Sequence, residues 1–396
     1  MRNHSTIIAI SAILLGATLH GFSEEAEPYS GGASKLELPE ISAIVDIQAL
    51  STDAESDPND NKIRIKEIEL GFQGYLNPSV RGDLIIAVEQ EYLADDTTET
   101  ELDIEEAHIS FLDLPGGLQA QVGRKLMGFG RLNPIHPHHW AFSDTPLALN
   151  NLFGDHPWLD DGAELSYLIP NPGDLYLKVS VGIWNGKQLG HAHDHGDEDD
   201  HDAEDHEEHA DEDDHDDEDD HEDDHEAEEH GHDEVIDWDG SVFTGRAFAD
   251  LPLTERLSAQ LGYSVAGDEG NNLLHGADLV VKYQWPKTYR NVKWHSEWFR
   301  YDRDEDGASP SGVFSLLQVS LDKYWSVGGR YDWTELLEDE EQDMWAGSGF
   351  LTYHLTHTTY VRGQYQYKEH EDGEEENIFM AQMVWGIGPH SHRLSD

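Results

Sequence analysis

From about position 40 to the end of the chain, polar and apolar residues alternate in segments of roughly ten residues. The segments 257–264, 327–333 and 361–368 each place Leu, Val, Tyr or Trp at every second position and Ser, Gln, Arg or Asp between them. A period of two is typical of a β-strand whose two faces meet different surroundings. The pattern therefore predicts an all-β protein.

The connections between these segments alternate in length. Tight turns rich in Pro, Gly and Asn lie at 77–79, 115–117, 171–173, 252–254, 286–288, 322–324 and 356–358. The long connections lie near 51–61, 93–102, 126–160, 185–240, 266–274, 302–311, 336–344 and 369–376. Eight long and seven short connections predict sixteen strands.

An even strand number, short turns at one end and long loops at the other are typical of a bacterial outer-membrane barrel. We therefore predict a 16-stranded antiparallel transmembrane β-barrel with short periplasmic turns and long extracellular loops. The first strand, 40–50, runs outward, and the last ends at Ile387. Aromatic residues near strand ends are predicted to form interfacial girdles: Trp184, Trp285, Trp298, Tyr301, Trp325, Trp333, Trp345 and Tyr360.

The N-terminal segment of the chain predicts export. Residues 1–23 have the features of a secretory signal peptide, with Arg2 ahead of an apolar stretch shorter than the about 20 residues that span a bilayer as a helix. Residues 24–39 are predicted to be a periplasmic leader, 40–388 the barrel and 389–396 a C-terminal tail. The chain has no cysteine, so disulfides and thiolate metal ligands are excluded.

Acidic residues dominate the charge, 83 against 24 basic ones. A tract at 191–234, which we call the acidic histidine tract, holds 27 of the acidic residues and 11 histidines, and removing those 27 leaves 56 acidic residues against the same 24 basic ones. Such a composition predicts a disordered extracellular loop. A nucleic-acid partner is excluded, since phosphate binding needs clustered Lys and Arg.

Imidazoles interleaved with carboxylates suit Zn²⁺, Ni²⁺ or Cu²⁺ better than Ca²⁺ or Mg²⁺. A solvating polyanion with incidental histidines is the alternative. The candidate metal ligands in the tract are His191, His193, His195, His201, His206, His209, His215, His221, His225, His230 and His232. Those in the long connection 126–160 are His136, His138, His139, Asp155, His156 and Asp160.

The segment 302–307 begins like a calcium loop, with Asp302, Asp304 and Asp306 followed by Gly307. The twelfth position is Val313, where an EF-hand has Glu, and strands flank the segment. An ordinary charged loop is therefore the favoured interpretation, and a weak extracellular Ca²⁺ site is the alternative.

A resemblance rests on 117–130, a strand entering a long loop, and on Asn133-Pro-Ile-His-Pro-His-His-Trp140. On these residues the chain resembles outer-membrane porins of the porin O/P (phosphate-selective-like) type, and is similar to short His-rich proteins labelled zinc-regulated outer-membrane receptors. The resemblance implies that 126–160 folds into the barrel as a constriction loop, and it is compatible with a homotrimer. Phosphate selectivity is not implied, because only Arg131 follows Lys125 among the basic residues of this loop.

These observations predict a porin in the outer membrane of a Gram-negative bacterium, in contact with lipid, that passes small solutes and captures divalent transition metals, zinc first. The alternative is a surface-exposed metal-binding or adhesive barrel with little conductance. No enzymatic activity and no required cofactor are expected, since the chain lacks a Gly-x-Ser-x-Gly elbow, a phosphate loop and a His-Glu-x-x-His motif.

Overall fold

The computed structural model describes residues 39–54, 58–92, 97–171, 173, 175–186, 235–337, 339–370 and 373–388. The predicted signal peptide, nearly all of the leader, the acidic histidine tract and the C-terminal tail lie outside these ranges. All statements below concern the described residues.

Sixteen strands pair with their neighbours in chain order, and the first pairs with the last. The strands are β1 Glu40–Thr52, β2 Lys62–Asn77, β3 Val80–Tyr92, β4 Thr98–Leu114, β5 Leu118–Leu126, β6 Leu159–Leu168, β7 Tyr176–Trp184, β8 Val242–Pro252, β9 Leu257–Gly267, β10 Leu273–Gln284, β11 Asn291–Asp302, β12 Ser311–Ser320, β13 Trp325–Glu335, β14 Asp343–His354, β15 Tyr360–Glu369 and β16 Glu375–Ile387. The closed antiparallel barrel confirms the predicted fold class, and closure leaves no unpaired sheet edge.

Two short helical segments interrupt the connection between β5 and β6, a 3₁₀ turn at Pro137–His139 and the helix α1 at Leu147–Phe153. Neither of these described helices is long and apolar enough to cross a membrane.

The two faces of the strands differ as the alternation predicts. Leu317, Val361 and Phe379 are exposed on the outer face, whereas Gln364 and Gln382 are buried on the inner face. An apolar outside and a polar inside are typical of a barrel embedded in lipid. Most of the polar inner side chains are buried because the lumen is filled.

The filling comes from the connection between β5 and β6, residues 127–158, which lies inside the barrel and which we call the constriction loop. Phe129, Trp140, Phe142, Phe153 and Trp158 of this loop are all buried. Together with apolar residues of the barrel wall and with Ile236 and Trp238, which follow the acidic histidine tract, they form one hydrophobic core. Burial of this much aromatic surface stabilises the loop in its inward position.

Three aromatic residues predicted for a girdle face the lumen instead. Trp285, Trp298 and Trp325 are exposed on the outer face, as predicted. Trp184 and Tyr301, in contrast, belong to the luminal core. Tyr360 also faces inward, where its hydroxyl donates to the His138 carbonyl oxygen at 2.7 Å. The prediction of girdle positions for these three residues is wrong, because the filled lumen accepts aromatic side chains as readily as the membrane interface does.

Polar contacts attach the constriction loop to wall strands around the barrel. The Glu297 carboxylate on β11 accepts hydrogen bonds from the backbone N–H groups of Arg131 and Leu132, both at 2.8 Å. The Arg362 guanidinium on β15 donates to the carbonyl oxygens of Trp140 at 2.7 Å and Phe142 at 2.6 Å. The loop is therefore fixed by polar anchors as well as by its apolar core.

A further anchor is an ion pair between the barrel wall and the constriction loop. Two nitrogens of Arg330 on β13 donate to the Asp144 carboxylate at 2.6 and 3.1 Å. Gln366 donates to the same carboxylate at 2.8 Å, and Gln364 also contacts it. Burial would raise the pKa of Asp144, but the Arg330 charge and these hydrogen bonds lower it below its ordinary value.

Candidate functional site

The segment 134–139 of the constriction loop carries three of the predicted ligands. Pro137 begins the 3₁₀ turn that holds His136 and His138 on either side of it. Their rings stack with centroids 5.6 Å apart, and both residues are buried. His139, the next residue, is exposed, and its ring lies 4.5 Å from that of His138.

The facing wall supplies carboxylates, and two β-bulges concentrate them. The pairing of β1 with β2 shifts at Asp46/Ile47, so Lys66 and Glu67 both turn inward. The pairing of β3 with β4 shifts at Ile85/Ile86, so the adjacent residues Glu105 and Glu106 are both buried. A bulge places two consecutive side chains on the side that regular pairing gives to one. The wall therefore carries a denser group of carboxylates than simple alternation allows.

His136 lies among these carboxylates. Its Nδ1 is 3.3 Å from a Glu69 carboxylate oxygen and 3.3 Å from one of Glu105, and its Nε2 is 3.4 Å from one of Glu106. Ligand atoms of Glu67, Glu69, Glu105 and His136 all lie within 4.8 Å of one another, and all four residues are buried. We call these four residues the neck cluster.

The pKa values of the two buried imidazoles are shifted in opposite directions. Burial alone would lower the pKa of His136, but the Glu69 and Glu105 carboxylates raise it well above its usual range. Burial lowers the pKa of His138 well below its usual range, and the positive charges of His136 and Lys66 lower it further. These shifts favour the protonated form of His136 beside the carboxylates and the neutral form of His138.

The neck cluster separates two cavities. A cavity of about 150 Å³, which we call the outer cavity, is lined by Glu67, Glu89, Glu105 and His156. A cavity of about 120 Å³ on the side of the short turns, the inner cavity, is lined among others by Asp83, Glu106, His108 and His136. Short turns are periplasmic in barrels of this kind. The outer cavity therefore faces the cell exterior, and the neck cluster lies between exterior and periplasm.

The other predicted ligands are not in the neck cluster. His156 lies by the outer cavity, with its Nε2 3.5 Å from a Glu89 carboxylate oxygen. Asp155 is exposed and accepts a hydrogen bond from Asn150 at 2.7 Å. Asp160 is buried and accepts from the backbone N–H groups of Asp161 and Gly186 at 2.6 and 2.8 Å. The eleven histidines of the acidic histidine tract lie outside the described residues.

Sequence reasoning missed the glutamates that face His136. Glu67 and Glu69 carry a recognisable signal, because they alternate with Ile65, Ile68 and Leu70 once the bulge at Lys66 is allowed for. Glu105 and Glu106 carry none, since two consecutive acidic residues in a strand do not predict that both face inward. Only the pairing of β4 with β3 shows their common direction.

In the 302–307 segment, arginines form hydrogen bonds to two of the carboxylates that a calcium site would use as ligands. Arg303 forms two hydrogen bonds to Asp306, at 2.9 and 2.7 Å, and Arg300 donates to Asp302 at 2.7 Å. The geometry favours the ordinary charged loop.

Comparisons with known proteins identify the fold. No family model matches the chain. One curated relative, an uncharacterised protein of Aquifex aeolicus, is 37% identical over 78 residues, a match that spans 20% of this chain and only 16% of the relative.

Solved structures match over most of the barrel. The anion-selective porin of Comamonas acidovorans aligns with a TM-score of 0.55 at 12% identity, over 88% of this chain and 99% of that one. OprB of Pseudomonas putida aligns at 0.51 with 9% identity, over 88% and 94% of the two chains. OmpT, an outer membrane protein of Vibrio cholerae, aligns at 0.50 with 9% identity, over 88% and 97%. The chain therefore has the sixteen-stranded barrel fold of outer-membrane porins, and its lipid-facing surface belongs in the outer membrane of a Gram-negative bacterium.

Proposed function

We propose that the barrel allows small solutes to cross the outer membrane passively and that it favours divalent transition metal ions, zinc first. The observation that carries this proposal is the neck cluster, three buried carboxylates and an imidazole between two cavities. Much of the remaining lumen is filled by apolar side chains. A solute that follows the polar wall therefore meets a negatively charged passage.

The sign of this passage differs from the selectivity that the Comamonas acidovorans porin is named for, which is for anions. Rings of Asp and Glu favour cations in channels, and imidazole ligands add a preference for zinc, nickel and copper over calcium. Kinship with the porin O/P type and with the His-rich zinc-regulated proteins remains a prediction, as does assembly into a homotrimer.

We further propose that the acidic histidine tract captures metal ions at the mouth of the channel. The described residues on both sides of it support this role. Gly186 donates its N–H to Asp160 beside the constriction loop, and Ile236 donates its N–H to the Leu152 carbonyl oxygen at 3.1 Å. Trp238 stacks on Trp158 with centroids 5.2 Å apart. The described residues that precede and follow the tract are thus in contact with the constriction loop or its flanking strand.

Single-channel recording in planar bilayers tests the channel. We expect discrete conductance steps in KCl, cation selectivity, and a change in current when Zn²⁺ is added. If neither added Zn²⁺ nor deletion of 191–234 changes the ion selectivity of the conductance steps, the protein is a porin without a metal role.

The rival function is a metal-binding or adhesive surface barrel that conducts little. The observation that favours it is the extent of the luminal core, which contains four tryptophans, Trp140, Trp158, Trp184 and Trp238. Folded barrels that insert into the bilayer and bind zinc but show no conductance steps would establish this rival and exclude the channel.

A further inference from the structure

We infer that the neck cluster coordinates a divalent transition metal ion and that His136 transfers the ion between the two cavities, one ring nitrogen serving each side. The inference rests on the proposed function and names the residues through which the ion passes. The first step concerns binding, and the second concerns transfer.

The donor set fits zinc or a similar ion. Glu67, Glu69 and Glu105 offer carboxylate oxygens and His136 offers Nδ1, a number and kind of donors that suit a four-coordinate zinc site. Zinc holds such donors at about 2.0–2.2 Å, so carboxylates now up to 4.8 Å apart have to close around the ion. Flexible glutamate side chains allow this movement without a change in the strands.

A second observation points to a ligand. Glu67 is only 5% exposed, and its Oε1 has no hydrogen-bond partner among the described residues. Its other oxygen, Oε2, lies 3.9 Å from Nδ1 of His138. A buried carboxylate oxygen without a partner costs free energy. A bound cation would supply the missing interaction.

The two nitrogens of His136 face carboxylates that line different cavities. Nδ1 faces Glu69 and Glu105, and Glu105 lines the outer cavity. Nε2 faces Glu106, which lines the inner cavity. The ring therefore offers one donor atom to an ion arriving from outside and another to an ion leaving toward the periplasm.

Imidazole and carboxylate pairs continue this path on both sides. Above the neck cluster, His156 and Glu89 line the outer cavity, and the His156 Nε2 lies 3.5 Å from a Glu89 carboxylate oxygen. Below it, His108 lies 3.5 Å from Glu106 and 3.7 Å from Asp83. An ion can thus exchange ligands in steps along β2, β3 and β4. Several sites of moderate affinity favour conduction, because a single tight site would trap the ion.

Anomalous X-ray diffraction from crystals of the full-length protein soaked in ZnCl₂ tests the binding step, because it locates zinc in the neck cluster whatever the acidic histidine tract binds. We expect a peak at the zinc edge between Glu69, Glu105 and His136. The Glu69→Gln variant should lose the peak, whereas His139→Gln, which changes an exposed neighbour, should keep it. A wild-type protein without a peak in the neck cluster overturns the inference. If that protein still shows conductance steps, the proposed channel stands without this site.

The transfer step is tested by zinc entry into liposomes that contain a zinc-sensitive dye. We expect His136→Gln to lower the zinc entry rate, divided by the KCl conductance of the same protein, by at least about tenfold, the usual scale for weakened metal sites. His139→Gln is again the control. Equal zinc entry in the wild type and in a conducting His136→Gln variant would overturn the transfer role. Should His136→Gln fail to form a heat-resistant barrel, Glu106→Gln, which keeps the His136 ring and changes the carboxylate that faces its Nε2, serves the same test.

Discussion

The ion pair between Arg330 and Asp144 holds the middle of the constriction loop, so its removal should make the current unsteady. In Asp144→Ala, the loop loses the charged hydrogen bonds from Arg330 at 2.6 and 3.1 Å and the bond from Gln366 at 2.8 Å. Breaking a buried ion pair costs about 3–5 kcal/mol. The Asp144 side chain is 18% exposed, so we use a lower figure of about 2–3 kcal/mol.

A loss of about 2–3 kcal/mol raises the population in which this part of the loop is detached by roughly 30- to 140-fold. The anchors from Arg362 to the carbonyl oxygens of Trp140 and Phe142 remain, so the loop as a whole stays inside. Single-channel recordings of Asp144→Ala should therefore show frequent brief increases in current above the wild-type level.

The matched control is Asp155→Ala, which removes an exposed carboxylate of the same loop whose partner is Asn150. It should conduct like the wild type. If Asp144→Ala forms heat-resistant barrels and its traces cannot be distinguished from those of Asp155→Ala, the pair does not hold the loop, and our account of how the lumen is narrowed is wrong.

The same anchor has a defined pH dependence. The pKa of Asp144 lies below its ordinary value of 3.8, so the ion pair contributes stability that is fully present above that value and is lost as the pH falls through the lower pKa of the folded protein. The wild-type current should therefore stay steady in mild acid, and fluctuations like those of Asp144→Ala should begin only below about pH 3.8.

Three further predictions concern the core, the barrel wall and the acidic histidine tract. Trp158→Ala should destabilise the luminal core by about 3–5 kcal/mol and lower the unfolding temperature, whereas Trp294→Ala on the outer face should have a smaller effect; equal shifts would argue against the core. Gly123→Ala should impair barrel assembly, because at a φ of 126° the added Cβ would lie 2.2 Å from a carbonyl oxygen of β4. The control Gly363→Ala, whose Cβ would meet nothing within 4 Å, should assemble normally, and heat-resistant mobility in gel electrophoresis measures both. Deleting 191–234 should slow zinc entry into liposomes at low zinc concentration without changing KCl conductance. The faster zinc entry of the wild type should disappear below about pH 6, where imidazoles are protonated. Faster entry that persists in acid would show that the carboxylates alone capture the ion.

The barrel could be predicted from the sequence because its signal repeats sixteen times. Each strand repeats the same alternation, so a local irregularity such as the bulge at Lys66 does not change the strand count. The relation between His136 and His138 also has a local cause, since the intervening Pro137 limits the backbone between them.

The partners of His136 could not be predicted in the same way. Glu69 and Glu105 are far from it in the sequence, and Glu105 turns inward only because β4 contains an extra residue opposite β3. Asp160 is close to the histidines in the sequence, but in the fold its carboxylate accepts hydrogen bonds from backbone N–H groups and is not part of the neck cluster. Proximity along a loop is a poor guide once the loop has folded against a wall.

Ser143 of the constriction loop has a consequence for the assembly of the barrel. Its carbonyl oxygen accepts a hydrogen bond from Gln48 on β1 at 3.1 Å, and its hydroxyl donates to Gln382 on β16 at 3.0 Å. These two strands form the seam where the first and last segments of the chain meet. One residue from the middle of the sequence thus ties together the two ends of the barrel. Because the loop and the two seam strands share these hydrogen bonds, closure of the cylinder and inward docking of the loop stabilise one another.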